Sequence, residues 1–329
     1  MSQEEEGSGG PRLIGRPVEE AVEAVLAEDD SRDRGTVRAT LDTVTEDGVV
    51  SEAAIEEELE EVSKVVSTPE TRIELAAMEV KEAKGTAEAE GVSDLDTVRT
   101  RIGTYESRLE AAEEAIGALG PDLREVIDRR GAGANAYEVA AGLREVRAEA
   151  DELHRTADEL GVDAEEFGRW LTDPGTRYEE LEAEIEAVER SLAALSGTAD
   201  DLDADDGEGA SSSLPADPGV VWADASLRTR VTALLVTDIE AELDDLRAWP
   251  DREGSDDRLD ELGTRLGELD GECRDLEERL DGLTRPSWTD RFGDRLDELD
   301  DALDRFAPPV SWGEVEAELE RHREALGAA

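Results

Sequence analysis

The chain of 329 residues has one cysteine, two histidines, three lysines and only 3% aromatic residues. A single cysteine, Cys273, rules out an internal disulfide framework. His154 and His322 lie far apart without H-x-x-x-H spacing and make no zinc set beside that cysteine. Long apolar runs are also missing: "VTALLV" (Val231 to Val236) already contains a threonine. A membrane-spanning helix needs about 20 predominantly apolar residues, so no transmembrane segment is expected. The opening "MSQEEEGSGG" is acidic and has no apolar stretch of the secretory kind. The expected location is therefore cytoplasmic.

Charge of one sign dominates. Asp and Glu number 89 against 35 Lys and Arg, a formal net charge of −54. Such a field repels phosphate backbones and anionic lipid, so neither nucleic acid nor a membrane surface is an expected partner. The only lysines are Lys64, Lys81 and Lys84. Arginine in place of lysine, with a large acidic excess, resembles the cytosolic proteins of halophilic archaea. In molar salt the Debye length falls to about 3 Å, which screens self-repulsion that would open the fold in dilute buffer.

Hydrophobic residues reach 38%, supplied mainly by Ala, Leu and Val, a composition suited to helices. Their spacing predicts an all-α fold without a sheet, built of antiparallel bundles or coiled coils in two or three modules. Residues 1–16 read as a flexible acidic tail. A short-helix module follows over 17–92, with stripes Val18/Val22/Val25, Val37/Leu41/Val44, Ile55/Leu59/Val62/Val66 and Ile73/Ala77/Val80. Ser51 is a predicted N-cap after the turn "EDGVVS".

Residues 93–196 read as a long-helix bundle. One seam runs Leu95, Val98, Ile102, Tyr105, Leu109, Ala112, Ile116, Leu119, behind a Ser93/Asp96 capping box. Another runs from Val139 through Leu160 to Leu171, breaks at Pro174, and resumes from Tyr178 to Leu195. Residues 197–219, rich in Asp, Gly, Ser and Pro, read as an acidic linker. Residues 220–329 read as a C-terminal four-helix bundle. "PSWTDRF" and "VSWGEVE" promise capped helix starts at Ser287 and Ser311. Trp222, Trp288 and Trp312 are expected to plug one end of that bundle rather than form an aromatic ligand cage.

The stretch Leu259 to Leu283 carries seven leucines in zipper spacing, interrupted by Gly263, Gly267 and Gly271. Polar neighbours rule out a lipid-facing glycine motif. A parallel dimer would bring Glu272 near Glu277 of a second copy, while short connections on either side favour antiparallel neighbours in one chain. A monomer is therefore expected over a homodimer, with Cys273 as a small core residue.

Other motifs weaken on inspection. "GAGANA" (Gly131 to Ala136) matches a dinucleotide-binding turn but follows a charged helical segment instead of a strand. Asp201, Asp203 and Asp205 have calcium-loop spacing, yet Asp206 and Ser212 stand where that loop needs Gly and Glu. His154 is expected exposed and His322 partly buried. Helices of residues 17–66 could form a helix-turn-helix. Its second helix, however, carries Glu52, Glu56, Glu57, Glu58, Glu60 and Glu61, the wrong charge for reading DNA. No catalytic, cofactor-binding or metal-ligating residues are assigned, and neither an enzyme nor a cofactor is expected.

"EDGVVSEAAIEEEL", "VVSTPETRIELA" and "VVWADASLRTRVTALLVTDIEAELDDLRAW" together resemble an uncharacterised haloarchaeal family often labelled "halo transducer protein". The resemblance implies kinship with sensory transducers whose coiled coils signal to a kinase. The chain departs from that pattern in having no expected membrane helix and no "EAARAGE"-like hairpin tip, and the resemblance supplies no site residues. The expected function is a non-enzymatic cytosolic scaffold or adaptor with protein partners. A soluble transducer-like signalling component and a DNA-associated regulator are the alternatives.

Overall fold

A computed structural model describes residues 12–205, 217–249 and 256–327. Eleven helices account for nearly all of them: α1 (Val18–Glu28), α2 (Arg34–Asp42), α3 (Glu52–Val66), α4 (Thr68–Glu90), α5 (Asp96–Gly131), α6 (Ala136–Thr172), α7 (Pro174–Asp205), α8 (Pro218–Arg247), α9 (Asp256–Gly282), α10 (Pro286–Leu303) and α11 (Trp312–Gly327). The all-α expectation holds. The described residues add one two-stranded hairpin, β1 (Thr45–Glu46) with β2 (Val49–Val50). Its turn is Asp47-Gly48, both at positive φ (50° and 80°), the twisted geometry that Asp-Gly adopts between strands.

The chain divides into two units, Met1–Gly85 with Ile102–Gly168, and Thr86–Arg101 with Arg169–Ala329. In the first unit, residues expected to belong to a flexible tail are tied down. Leu13 is buried, Gly15 N–H donates to Val50 O, and Val50 N–H donates to Arg16 O. Residues 1–11 of that tail lie outside the described residues. Asp33 caps α2 through Thr36 N–H, and Ser51 caps α3 through Ala54 N–H. The Val-rich stripes of α1, α2 and α3 share a core with Leu119, Leu123 and Val126 of α5 and Val139, Leu143 and Val146 of α6.

Helices α5 and α6 run antiparallel in this unit. A Cβ added to Gly142 would stand 2.7 Å from Val126, and Tyr105 meets Phe167 edge-on at 5.6 Å. Their connection is the "GAGANA" segment, where Asn135 and Glu138 bond reciprocally to each other's backbone N–H. Helix α4 completes the group through Ile73, Ala76 and Val80. Pro121 lies inside α5, although its ring lacks the N–H of an interior position. The capping box expected at α5 is not made: the Ser93 hydroxyl is buried without a partner, and Asp96 pairs with Arg99.

In the second unit α8 is central, packing on α7, α9, α10 and α11. Helix α7 begins at Pro174, where proline fits a helix start, and runs to Asp205 with Ala199 and Leu202 buried. The segment 197–205, expected as linker, is thus helical because its apolar residues keep the α7 stripe. Residues 206–216 and the connection 250–255 lie outside the described residues. Leu259, Leu262, Leu266, Leu269, Cys273, Leu276 and Leu280 of α9 are all buried within the chain. Burying six leucines is worth roughly 10–20 kcal/mol gross, which outweighs about 1 kcal/mol for each interior glycine.

Ion pairs fix the register of α7 and α9. Arg258 meets Glu182 at 2.7 Å, Arg265 meets Glu189 at 2.8 Å, and Arg279 meets Asp200 at 2.7 Å. Both partners advance together, so α7 and α9 run parallel. Helix α10 starts at Pro286 and Arg285, with no side-chain cap, so the capping expected of Ser287 is not realised.

Candidate functional site: an arginine among glutamates

The most unusual chemistry of the described residues lies in the second unit, around Arg101. It comes from the first two turns of α5, which enter this unit beside α7 and α8. Thr97 N–H, among the free donors of that helix start, donates to Asp245 of α8 at 2.6 Å. One turn on, the Arg101 guanidinium lies 2.8 Å from Glu180 of α7 and 3.3 Å from Glu242 of α8. Glu242 is only 12% exposed. Glu184 follows Glu180 by one turn on α7, and Asp238 precedes Glu242 by one turn on α8, so each pair shares a helix face.

One guanidinium therefore lies between two glutamates, with Glu184 one turn further along α7. Burial pushes the Glu184 carboxyl up to about 8, with Glu242, Glu180 and Asp238 adding to the rise and Arg101 opposing it. Burial likewise raises Glu242, against the pull of Arg101. Burial alone would lower Arg101, but Glu242 and Glu180 outweigh it and carry the guanidinium upward. Asp238 is otherwise engaged: it accepts from Val310 N–H at 2.8 Å and Trp312 Nε1 at 2.7 Å, which holds the start of α11 against α8.

An aromatic stack closes one side. Arg101 lies 4.6 Å above the Trp170 ring, Trp170 meets Trp249 edge-on at 5.4 Å, and Arg177 lies 4.1 Å from the Trp249 ring. Buried Arg177 also donates to Trp170 O at 2.8 Å and Leu171 O at 2.9 Å, satisfying the last turn of α6. Cations over indole faces gain from the ring quadrupole, most strongly when desolvated.

Elsewhere in this unit a polar cavity of about 180 Å³ is lined by Ser226, Arg230, Glu277, Leu280, Asp281 and Asp300. Arg230 closes it with a 2.6 Å contact to Asp300. Trp222 and Trp288 pair at 5.8 Å, and Trp222 Nε1 donates to Leu280 O. Trp312 does not join them. It bonds Asp238, sixteen residues along α8 from Trp222, or roughly 24 Å at helical rise. The expectation that all three plug one end is corrected: two share an end and the third secures α11.

The other singled-out residues are placed plainly. Cys273 is buried, and burial together with Glu277 pushes its thiol up to about 11, a packed and unreactive state. His322 is buried between α10 and α11, with burial and Arg321 lowering its pKa. His154, expected exposed, is half-buried and 3.2 Å from Asp158. Asp201 to Asp205 are helical, which a calcium loop cannot be, and Arg279 pairs with Asp200. Asp206 and Ser212 lie outside the described residues. Among the described residues no group of three or more His, Cys, Asp or Glu is placed to hold a metal ion.

Comparison with protein-family models, curated proteins and solved structures finds no match. Among the described residues no helix is long and apolar enough to cross a membrane. Sequence reading missed Arg101, Arg177, Trp170 and Trp249. Glu180 and Glu184 repeat at i, i+4, but so do many Glu pairs here. The one usable signal was an arginine, Arg101, directly beside the seam residue Ile102.

Proposed function

We propose that the chain is a non-enzymatic helical scaffold or adaptor of a halophilic archaeal cytoplasm, contacting protein partners as a monomer. The observation that carries this reading is a pair of faces on α4. Ile73, Ala76, Val80, Ala83 and Ala87 are buried inward, while Leu75 and Met78, one turn apart, are 49% and 64% exposed. Exposed apolar residues on an otherwise acidic helix suit a partner helix laid across that face. Cross-linking in molar KCl with the wild type and a Leu75→Glu/Met78→Glu variant tests it. Partners captured by the wild type and lost by the variant support the reading; the same partners on both, or none on either, reject it.

A soluble transducer-like component is the second reading, favoured by the long antiparallel hairpin of α5 and α6. Co-purification with a receptor or histidine kinase separates it from the first. The helix-turn-helix reading gains nothing. Glu52 and Glu56 of α3 pair with Arg130 of α5 and stay exposed, and Glu58 pairs with Arg147 of α6, so the face remains acidic.

A further inference from the structure

In the first unit, α4 and α6 lie side by side along a seam that carries an apolar strip. Small residues bring the two helices close: a Cβ added to Gly161 of α6 would stand 3.9 Å from the Ala76 backbone of α4. Arg72 of α4 spans the seam to Asp158 of α6 at 3.3 Å. The helices run parallel, since Ile73 shares a cluster with Ala157 and, two turns on, Val80 shares one with Ala164. Leu75 follows Arg72 by three residues and Val162 follows Asp158 by four, so both sit one turn beyond that bridge on its side of the seam. Met78 lies a further turn along α4. Leu75, Val162 and Met78 are 49%, 53% and 64% exposed, three of the five large hydrophobic residues left open to water among those described, so exposed apolar surface gathers here.

Charge of one sign surrounds the strip. Within one turn of its three apolar residues stand Glu74, Glu79, Glu82, Glu159, Glu165 and Glu166, against Lys81 and the already paired Arg72. A second copy would set this face on its own image, carboxylate on carboxylate. Resting on the scaffold reading, we infer that the occupant of the strip is a basic amphipathic helix of another protein. Its apolar side covers Leu75, Val162 and Met78, and its arginines or lysines meet the flanking carboxylates. In molar salt, with a Debye length of about 3 Å, the charges steer nothing from afar, but they select the partner at contact.

Fluorescence anisotropy in molar KCl tests this with the full chain and two labelled synthetic helices, one of leucine and lysine, the other of leucine and glutamate with the same apolar side. The lysine helix should bind more tightly than the glutamate helix by on the order of tenfold or more. Leu75→Glu/Val162→Glu should weaken the lysine helix by on the order of tenfold, although it makes the chain more acidic. Attraction to net charge alone would leave that binding unchanged or tighten it, and either result overturns the inference. Equal binding of the two helices, or no binding of the lysine helix, overturns it as well. Should the variant lose the wild-type circular dichroism, Leu75→Gln/Val162→Thr takes its place with the same direction of change.

Sedimentation velocity in the same salt checks the other occupant. A wild-type dimer that Leu75→Glu/Val162→Glu dissolves assigns the strip to a second copy and overturns the basic helix; a monomer in both supports it. The basic helix and the scaffold reading can also fail apart. Partners cross-linked through Leu75 and Met78 whose captured segments hold no basic amphipathic helix keep the scaffold and end the inference. A lysine helix bound through the strip, with no partner captured by cross-linking, leaves the preference of this face standing and removes the scaffold.

Discussion

The two units use opposite materials. The first builds its core from valine, leucine and alanine and has arginine pairs at its surface: Arg34 pairs with Glu23, and Arg38 with Glu19, with all four side chains at least half exposed. The second holds all five tryptophans, Trp170, Trp222, Trp249, Trp288 and Trp312, and puts Arg101 and Arg177 against them. Charge falls on both units, but the arginine buried deepest, Arg177, lies in the second. Surface pairs there or in the first unit are worth about 0–1 kcal/mol and fade with salt. A buried guanidinium that satisfies carbonyls is worth more, because its loss leaves acceptors unmet. A high-salt environment thus suits the first unit through screening, while the second depends on contacts that salt scarcely reaches.

Because every tryptophan lies in the second unit, indole fluorescence follows that unit alone, and the contrast can be tested directly. The largest effect should come from Leu266→Ala, at a fully buried position in α9, with a loss of about 2–5 kcal/mol seen as a lowered fluorescence midpoint in denaturant. A loss below about 1 kcal/mol would mean that the α9 stripe is not the core of this unit. Next comes a matched pair of arginines. Arg177→Ala strips two carbonyls of a donor and Trp249 of its cation, and should cost about 2–4 kcal/mol. Arg38→Ala, read by far-UV circular dichroism, should cost less than about 1 kcal/mol. Equal losses would erase the distinction between the units. Between those two arginines in size, Gly142→Ala in the first unit drives a methyl to 2.7 Å from the branched Val126 side chain and should cost about 1–3 kcal/mol by circular dichroism.

Much of the fold was legible because helical periodicity survives an acidic composition. The seam from Leu95 to Leu119 is buried or half-buried throughout, and the break at Pro174 falls between α6 and α7. Local chemistry was read less well. "EDGVVS" reads as a turn between helices, whereas Asp47-Gly48 forms the turn of a hairpin between Thr45–Glu46 and Val49–Val50. Ser93 and Ser287 have the letters of caps, but Pro286 opens α10 with Arg285 at the cap position, two residues before Ser287. The Arg101 cluster left one trace in the sequence, an arginine beside the seam residue Ile102. Its members come from α5, α7 and α8, each carrying many identical carboxylates, and only packing selects which ones lose water. In a sequence this acidic, a buried carboxylate is marked by its surroundings and by nothing in its neighbours along the chain.

The finest test applies the Gly142 substitution to the other unit, where the sign should reverse. Gly263, Gly267 and Gly271 interrupt α9, but they are not equivalent. A Cβ at Gly263 would stand 2.5 Å from the Arg247 guanidinium and 3.3 Å from Leu243, so alanine there must displace the arginine's end. At Gly267 nothing lies within 4 Å. Alanine at 267 meets no neighbour, restricts the unfolded chain and improves helix propensity, so it should stabilise the second unit by about 0.5–1 kcal/mol. The fluorescence midpoint in denaturant should rise accordingly. A fall would show that the open face of α9 is covered in solution by a second copy or another protein, and the monomer reading would then give way to the zipper.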